Sequence, residues 1–327
     1  MKAIVVNEPG SPEVLRLEEV KTPEPGPGEV LVEVAVAGVN YADVGMRAGM
    51  MGGPHAMELP YTPGFEVAGA VAAVGEGVAG VARGDRVAAV LTSGGYAEYA
   101  VAAAESIVRV PEGVGYSDAC ALLVQGLTAY GVLHDSARVR GGESVLIMAA
   151  GGGVGTLAVQ LAKLAGAGPV IGAAAGGQEK LDLALSLGAD HAFDYTRDGW
   201  VDQVLNATGG RGVDVALECV GGEVGARAYD CLAPLGRLVT FGAASGEGLR
   251  PPDMWQLNLK GQTVSGYGGP WIRPGAAATA RGEISGFLRN GELEVVKGAS
   301  FPLEAASEAH RAIEGRRTTG KVLLEIT

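Results

Sequence analysis

The chain has 327 residues, 47% of them hydrophobic and 19% charged, with a formal net charge of −12. That length suits two domains with cores of their own, and the apolar content excludes a largely disordered chain. The negative field disfavours nucleic acid and anionic lipid surfaces as partners. Cys120, Cys219 and Cys231 are widely spaced with no C-x-x-C pair. No four-thiolate structural zinc can be assembled from them, and a reducing cytoplasmic compartment fits. The opening MKAIVVNEPG lacks an apolar signal core, and no apolar run is long enough to cross a bilayer, which reads as a soluble protein kept inside the cell.

Along the first hundred residues, Lys2–Val6, Val14–Glu18, Val30–Val36 and Val67–Val74 are rich in β-branched residues. The turn sequences PEPGPGE, GMMGGP and VGEGVAGVARGD separate them, and GDRV enters a further strand. This spacing predicts a compact, mostly antiparallel β domain. The middle of the chain alternates. Strands are predicted at Ser144–Met148, Pro169–Ala174, Val213–Glu218 and Arg237–Phe241, and helices at Val154–Leu164, Glu179–Leu187 and Val224–Cys231. Strands alternating with helices predict an α/β unit built on a doubly wound parallel sheet. A helix near Ala276–Arg289 and a closing strand at Lys321–Ile326 follow, in a tail expected to fold back onto the first domain.

The strongest local signal is SVLIMAAGGGVG, residues 144–155. A buried strand ends, glycines allow a sharp turn and close backbone approach, and a helix begins whose free N–H groups would face a pyrophosphate. Ala150, Gly152 and Gly155 match A-x-G-x-x-G, with Gly153 and Val154 inside the turn; an ordinary glycine turn is the bland alternative. The second strand of the unit ends Ala174-Ala175-Gly176-Gly177 with no acid before Glu179. A carboxylate there would bind the ribose 2′-OH of NAD and repel a 2′-phosphate, so its absence favours NADPH. Lys180 and Tyr195 are the candidates to meet that phosphate. A solvated lysine and a packed tyrosine are the alternatives.

In GEVLVEVAVAGVNYAD, TPGFEVAGAVAAVGEGV, GDRV, GGYAEYAVA, QGLTAYG, SLGAD, LAPLGRLVTFGAASG and TTGKVLLEI the chain resembles, nearly end to end, the medium-chain dehydrogenase/reductase superfamily. Within it the resemblance is to the zinc-free quinone oxidoreductase (zeta-crystallin-like) branch. The resemblance implies a GroES-like β-rich catalytic domain, expected over 1–120 and 268–327, and a Rossmann domain over 121–267, with substrate in the cleft between them. Zinc-bearing relatives carry cysteine where this chain has Asn40 and histidine where it has Phe65, and the structural zinc lobe is missing. No metal is expected. Without a Lewis acid, an acceptor that spreads negative charge into a quinone or enone suits the chemistry better than an unactivated alcohol.

The resemblance also implies site residues. Asn40 stands at the old metal-ligand position, to polarise the acceptor oxygen or hold the nicotinamide ribose; a turn asparagine is the alternative. Tyr41 is a possible hydrogen-bond or proton donor, or simply packs. Asp43 and Arg47 fall near the cleft, although their i, i+4 spacing would also suit a helix-surface ion pair. Thr128 matches the threonine at the nicotinamide. Phe241, Gly242 and Ala243 follow the strand expected beneath the nicotinamide ring. Gly45, where relatives often carry a tyrosine, and the Gly49–Met57 segment would enlarge the acceptor site. His55, His134, His191 and His310 form no metal-binding pair. A homodimer through an edge strand near Gln262–Tyr267 is implied as well. A quinone or enone reductase therefore leads, ahead of a stand-alone enoyl-thioester reductase. A non-catalytic NADPH-binding protein is the reading from another class.

Overall fold

The computed structural model describes residues 1–50, 57–269 and 275–326. The chain divides into two compact units, Met1–Val124 with Lys297–Thr327, and Gln125–Val296.

The first unit opens with the antiparallel pair β1 (Lys2–Val6) and β2 (Leu15–Glu19). Its long strand β3 (Glu29–Val39) runs into helix α1 (Tyr41–Arg47). There follow β4 (Glu66–Val74), β5 (Arg86–Val90), β6 (Tyr99–Ala103), β7 (Ile107–Arg109) and helix α2 (Tyr116–Ala121). The valine-rich strands bury alternate residues, Val30, Val32 and Val34 with Val67, Val71 and Val87, in one core.

Helix α3 (Val124–Gly131) leads into the second unit. There, β8 (Val145–Met148), α4 (Gly153–Leu164), β9 (Val170–Ala174), α5 (Gln178–Ser186), β10 (His191–Asp194), α6 (Trp200–Ala207), β11 (Val213–Glu218), α7 (Gly222–Arg227) and β12 (Leu232–Thr240) alternate as predicted. Helix α8 (Met254–Lys260), β13 (Thr263–Gly266) and α9 (Ala276–Arg289) complete it. The sheet order is β10-β9-β8-β11-β12-β13 and every pairing is parallel. Counted within the unit this is the 3-2-1-4-5-6 order of a Rossmann sheet, with its reversal between β8 and β11. Strands buried on both faces explain the continuous apolar runs VLIM and VIGAA.

The chain then returns to the first unit as β14 (Lys297–Pro302), α10 (Ala306–Glu314) and β15 (Lys321–Glu325). These strands extend one sheet to the order β14-β15-β3-β4-β5-β7, with β6 also paired to β3. The return falls at Lys297, not at the expected residue 268. The Gln160 side chain on α4 is the physical reason. Its Nε2 donates to the Glu294 carbonyl at 3.0 Å and its Oε1 accepts from the Glu294 N–H at 2.7 Å. That pairing, with buried Ile284 and Leu293, holds the stretch after β13 to the second unit.

Two further differences have local causes. The predicted helix Val224–Cys231 stops at Arg227, and the strand predicted from Arg237 starts at Leu232. Between Leu232 and Arg237 the β11–β12 register shifts; Pro234 has no N–H to donate, and Leu235 takes φ 64°.

Candidate active site

In the second unit the sequence-predicted turn sits at the C-terminal end of β8, beside the β8/β11 reversal where ligands of such sheets bind. Gly152 is the N-cap of α4 in extended geometry. A Cβ at Gly155 would lie 2.2 Å from the Ala149 carbonyl oxygen and 2.7 Å from the Ala150 Cα, so only glycine lets α4 approach the strand end. Ala150 is fully buried, while Gly152, Gly153 and Val154 are half-buried. Gly176 and Gly177, at φ 104° and 97°, form the turn before α5. Lys180, one turn into α5, crosses back over the loop: a Cβ at Gly151 would meet its Cβ at 2.8 Å.

The bare backbone of the turn, Lys180 above it and the acid-free end of β9 together fit a phosphorylated dinucleotide. Tyr195 is 6% exposed and packs in the core with Met148, Ala173 and Trp200. Thr128 is half-buried in α3; Phe241 and Ala243 are half-buried and Gly242 exposed just after β12. Sequence reasoning missed Gln125, whose side-chain amide covers Gly153; its Oε1 lies 1.8 Å from where a Cβ would stand. Its place in QGLTAYG was the available signal.

The first unit gathers its candidates where β3 meets α1. Asn40, Asp43 and Arg47 are all buried, at 5%, 1% and 1% exposure. Asp43 Oδ2 accepts from the Asn40 N–H at 2.8 Å, so the N-Y-A-D sequence caps its own helix, and Oδ1 accepts from the Gly64 N–H at 3.1 Å. The Asn40 side chain joins a closed network. Its Nδ2 donates to Glu66 Oε1 at 2.8 Å, and its Oδ1 accepts from Lys321 Nζ at 2.8 Å. Lys321 also donates to Glu66 Oε1 and to the Val39 carbonyl, while Glu66 Oε2 accepts from the Val124 N–H at 2.7 Å.

The helix-surface alternative for Asp43 and Arg47 is corrected here. Neither is on the surface, and Arg47 pairs with Glu314 on α10. The i, i+4 spacing placed both on one helix face, but packing against α10 turned that face inward. Nearby, the Tyr96 hydroxyl meets His310 Nε2 at 3.2 Å, and burial pushes the His310 imidazole down to about 3, with Arg47 adding to the shift. Tyr41 is half-buried, and burial raises its phenol. His134 lies against Tyr130 and His191 stacks on Phe193; His55 falls outside the described residues.

A narrow surface crevice, too tight to admit a water molecule, lies beside Asp43. It is lined by Asp43 and Met46 of α1, by Met57, Tyr61 and Phe65, and by Thr92 and Ser93 after β5. Of the glycine- and methionine-rich segment expected to form an acceptor wall, Met57 lines it, and residues 51–56 lie outside the described residues.

The fold so defined is a Rossmann sheet inserted into a GroES-like β unit. Residues 26–112 match the family described as alcohol dehydrogenase GroES-like domain, and 153–273 match zinc-binding dehydrogenase. The chain is 36% identical to a quinone oxidoreductase of Pseudomonas aeruginosa, over 96% of each chain, and 33% identical to a 2-haloacrylate reductase of a Burkholderia species, over 98% of each. It superposes on the crystal structure of Escherichia coli quinone oxidoreductase complexed with NADPH with a TM-score of 0.92, at 31% identity, over 99% of this chain and 100% of that one. The chain belongs to the medium-chain dehydrogenase/reductase superfamily, in its quinone oxidoreductase branch.

The zinc in that family description does not fit this site. The Asn40 oxygen is committed to Lys321, Glu66 is ion-paired, and Phe65 offers only carbon. Among the described residues, no group of three or more His, Cys, Asp or Glu could hold a metal ion.

Two predictions follow from the buried groups. Lys321→Ala leaves the Glu66 charge buried and unpaired, and should cost on the order of 3–5 kcal/mol in urea unfolding. The double variant Glu66→Gln/Lys321→Met should recover much of that loss; a single variant as stable as the wild type would contradict the network. Burial pushes the Asp43 carboxyl up to about 7, offset only in part by the Asn40 N–H and Lys321. Unfolded, it titrates near about 3.9. Between those values the folded chain keeps a proton that the unfolded chain has shed, so stability falls as pH rises through the window. Relative to Asp43→Asn, the wild type should lose stability between about pH 4.5 and 7.5, by up to a few kcal/mol. A flat or rising difference would refute the shift.

Proposed function

We propose that the protein is an NADPH-dependent oxidoreductase that reduces a quinone or an α,β-unsaturated carbonyl compound without zinc. The observation that carries this reading is the junction of β8, the Ala150–Gly155 turn and α4, with Lys180 laid across Gly151 and no carboxylate closing β9. Helix N–H groups suit a pyrophosphate, and a lysine ammonium suits a 2′-phosphate. In this reading Ala150, Gly152, Gly153, Val154, Gly155, Gly176, Lys180, Tyr195, Thr128, Phe241, Gly242 and Ala243 hold NADPH. Asn40, Tyr41, Asp43 and Arg47 shape the acceptor side. When bound, the cofactor supplies hydride from its nicotinamide, and water supplies the proton that completes the reduction. The Lys321-bound amide at position 40 and the phenylalanine at 65 support chemistry without a Lewis acid.

The test is NADPH oxidation, corrected for the uncatalysed rate, with 1,4-benzoquinone, an alkyl vinyl ketone and crotonyl-CoA. Turnover of the quinone or ketone is expected. Turnover of crotonyl-CoA alone would favour an enoyl-thioester reductase, and turnover of none a binding protein. Lys180→Ala should weaken NADPH roughly tenfold more than NADH, the worth of one charged hydrogen bond to phosphate; equal weakening would remove the 2′-phosphate from this position.

We further propose a cytoplasmic homodimer joined along β13. This edge strand is exposed throughout, and Leu235, Trp255 and Leu259 are 80%, 68% and 71% exposed in the same unit. An unpaired strand beside apolar side chains favours a covering partner. Sedimentation should give a dimer that Val264→Asp splits into monomers; a monomeric wild type would refute it.

A further inference from the structure

Among the described residues of the second unit, Glu218 is the one buried acid, at 0% exposure, and it ends β11 beside the β8/β11 reversal. Its Oε1 accepts from the Val220 N–H at 2.5 Å and from the Gly221 N–H at 2.8 Å, so the side chain bends the strand end into the loop that follows. Oε2 is buried and has no hydrogen-bond partner. An ionised carboxylate is costly in that state, and burial raises the carboxyl toward its uncharged form, against the pull of the two N–H groups. The backbone of the same residue reaches the next strand, where the Glu218 carbonyl accepts from the Phe241 N–H at 2.9 Å.

The loop that Glu218 braces is laced to a second one. The Cys219 and Val220 carbonyls accept from the Ala244 and Ser245 N–H groups at 2.9 and 2.8 Å, and the Gly222 N–H donates to the Gly248 carbonyl at 3.1 Å. Gly221 stands at φ 73°, and a Cβ there would lie 2.0 Å from the Glu247 carbonyl oxygen. A Cβ at Gly225 would lie 2.8 Å from Glu218 Oε1. Bare backbone thus packs on bare backbone above one carboxyl group. The second loop opens with Phe241, Gly242 and Ala243, the residues proposed to lie at the nicotinamide.

We propose that Glu218 is a positioning residue that sets the nicotinamide half of the cofactor site through these two loops, without touching cofactor or acceptor. This rests on the NADPH reading above and deepens it. An aliphatic side chain at 218 would leave two N–H groups without an acceptor, whereas an uncharged acid satisfies both and adds no repulsion toward a dinucleotide's phosphates. The adenosine half depends on other elements, the turn after β8 and Lys180 on α5. A change at 218 should therefore separate the two halves.

Titration of NADPH and of 2′,5′-ADP, which carries the adenosine half alone, into the wild type, Glu218→Ala and Glu218→Gln tests this. Glu218→Ala strips two N–H groups of their acceptor and should weaken NADPH roughly tenfold or more. Binding of 2′,5′-ADP should stay within about twofold of the wild type. Glu218→Gln keeps an acceptor oxygen on an uncharged group and should restore NADPH to within about threefold. Equal loss of both ligands in Glu218→Ala, as general unfolding would give, would overturn the assignment. So would unchanged NADPH affinity in that variant, or a Glu218→Gln protein as weak as Glu218→Ala. A wild type that binds neither ligand would instead overturn the NADPH reading beneath it.

Discussion

The first unit depends on one buried ion pair. Lys321 and Glu66, at 1% and 0% exposure, meet 255 residues apart in sequence, and Asn40 closes the triangle with both. Through three side chains the last strand of the chain, the start of β4 and the junction of β3 with α1 are held in one place. In sequence the whole second unit is inserted between Glu66 and Lys321. Desolvating an ammonium and a carboxylate is expensive, and such a pair is weak evidence of stability by itself. What it supplies is position, because each polar atom of the three side chains has a partner.

That constraint bears directly on chemistry. Position 40, where the resemblance places a metal-binding cysteine in zinc-bearing relatives, is an amide already committed to Lys321 and Glu66. The cation that organises this corner is therefore the chain's own ammonium. Asp43, buried beside it and capping α1, keeps its carboxyl near neutrality by burial. The second unit solves a different problem with backbone alone. Glycines at 152 and 155 bring α4 against β8, and the exposed N–H groups of a helix start need no side chain to receive phosphate.

Much of the αβ unit was legible because buried parallel strands read as unbroken apolar runs and helices as 3.6-residue patterns; Ala276–Arg289 and Val213–Glu218 end where the spacing put them. The glycine turn was legible for the same local reason. Less visible were features made by distant partners. Lys321 opens a strand, where lysine ordinarily marks a solvent-facing end, and nothing local says that Glu66 lies opposite. For Arg47 a helix-surface ion pair with Asp43 stayed open as the alternative to a cleft residue, because Glu314, its partner on α10, is 267 residues away. The return at Lys297 escaped notice because Gln160, which pins Glu294, is 134 residues upstream. Tyr195 could be read as packing or as phosphate contact from sequence; its ring packs in the core with Met148, Ala173 and Trp200, and the phosphate contact belongs to the proposal.

The proposed zinc-free chemistry stands on a buried corner where Lys321, Glu66 and Asn40 pair with one another. Metal analysis of the freshly purified, catalytically active protein tests it most directly. The account predicts substoichiometric zinc and NADPH-dependent reduction that survives exhaustive chelation. One tightly held zinc per chain, with activity lost on its removal and restored on its return, would contradict it.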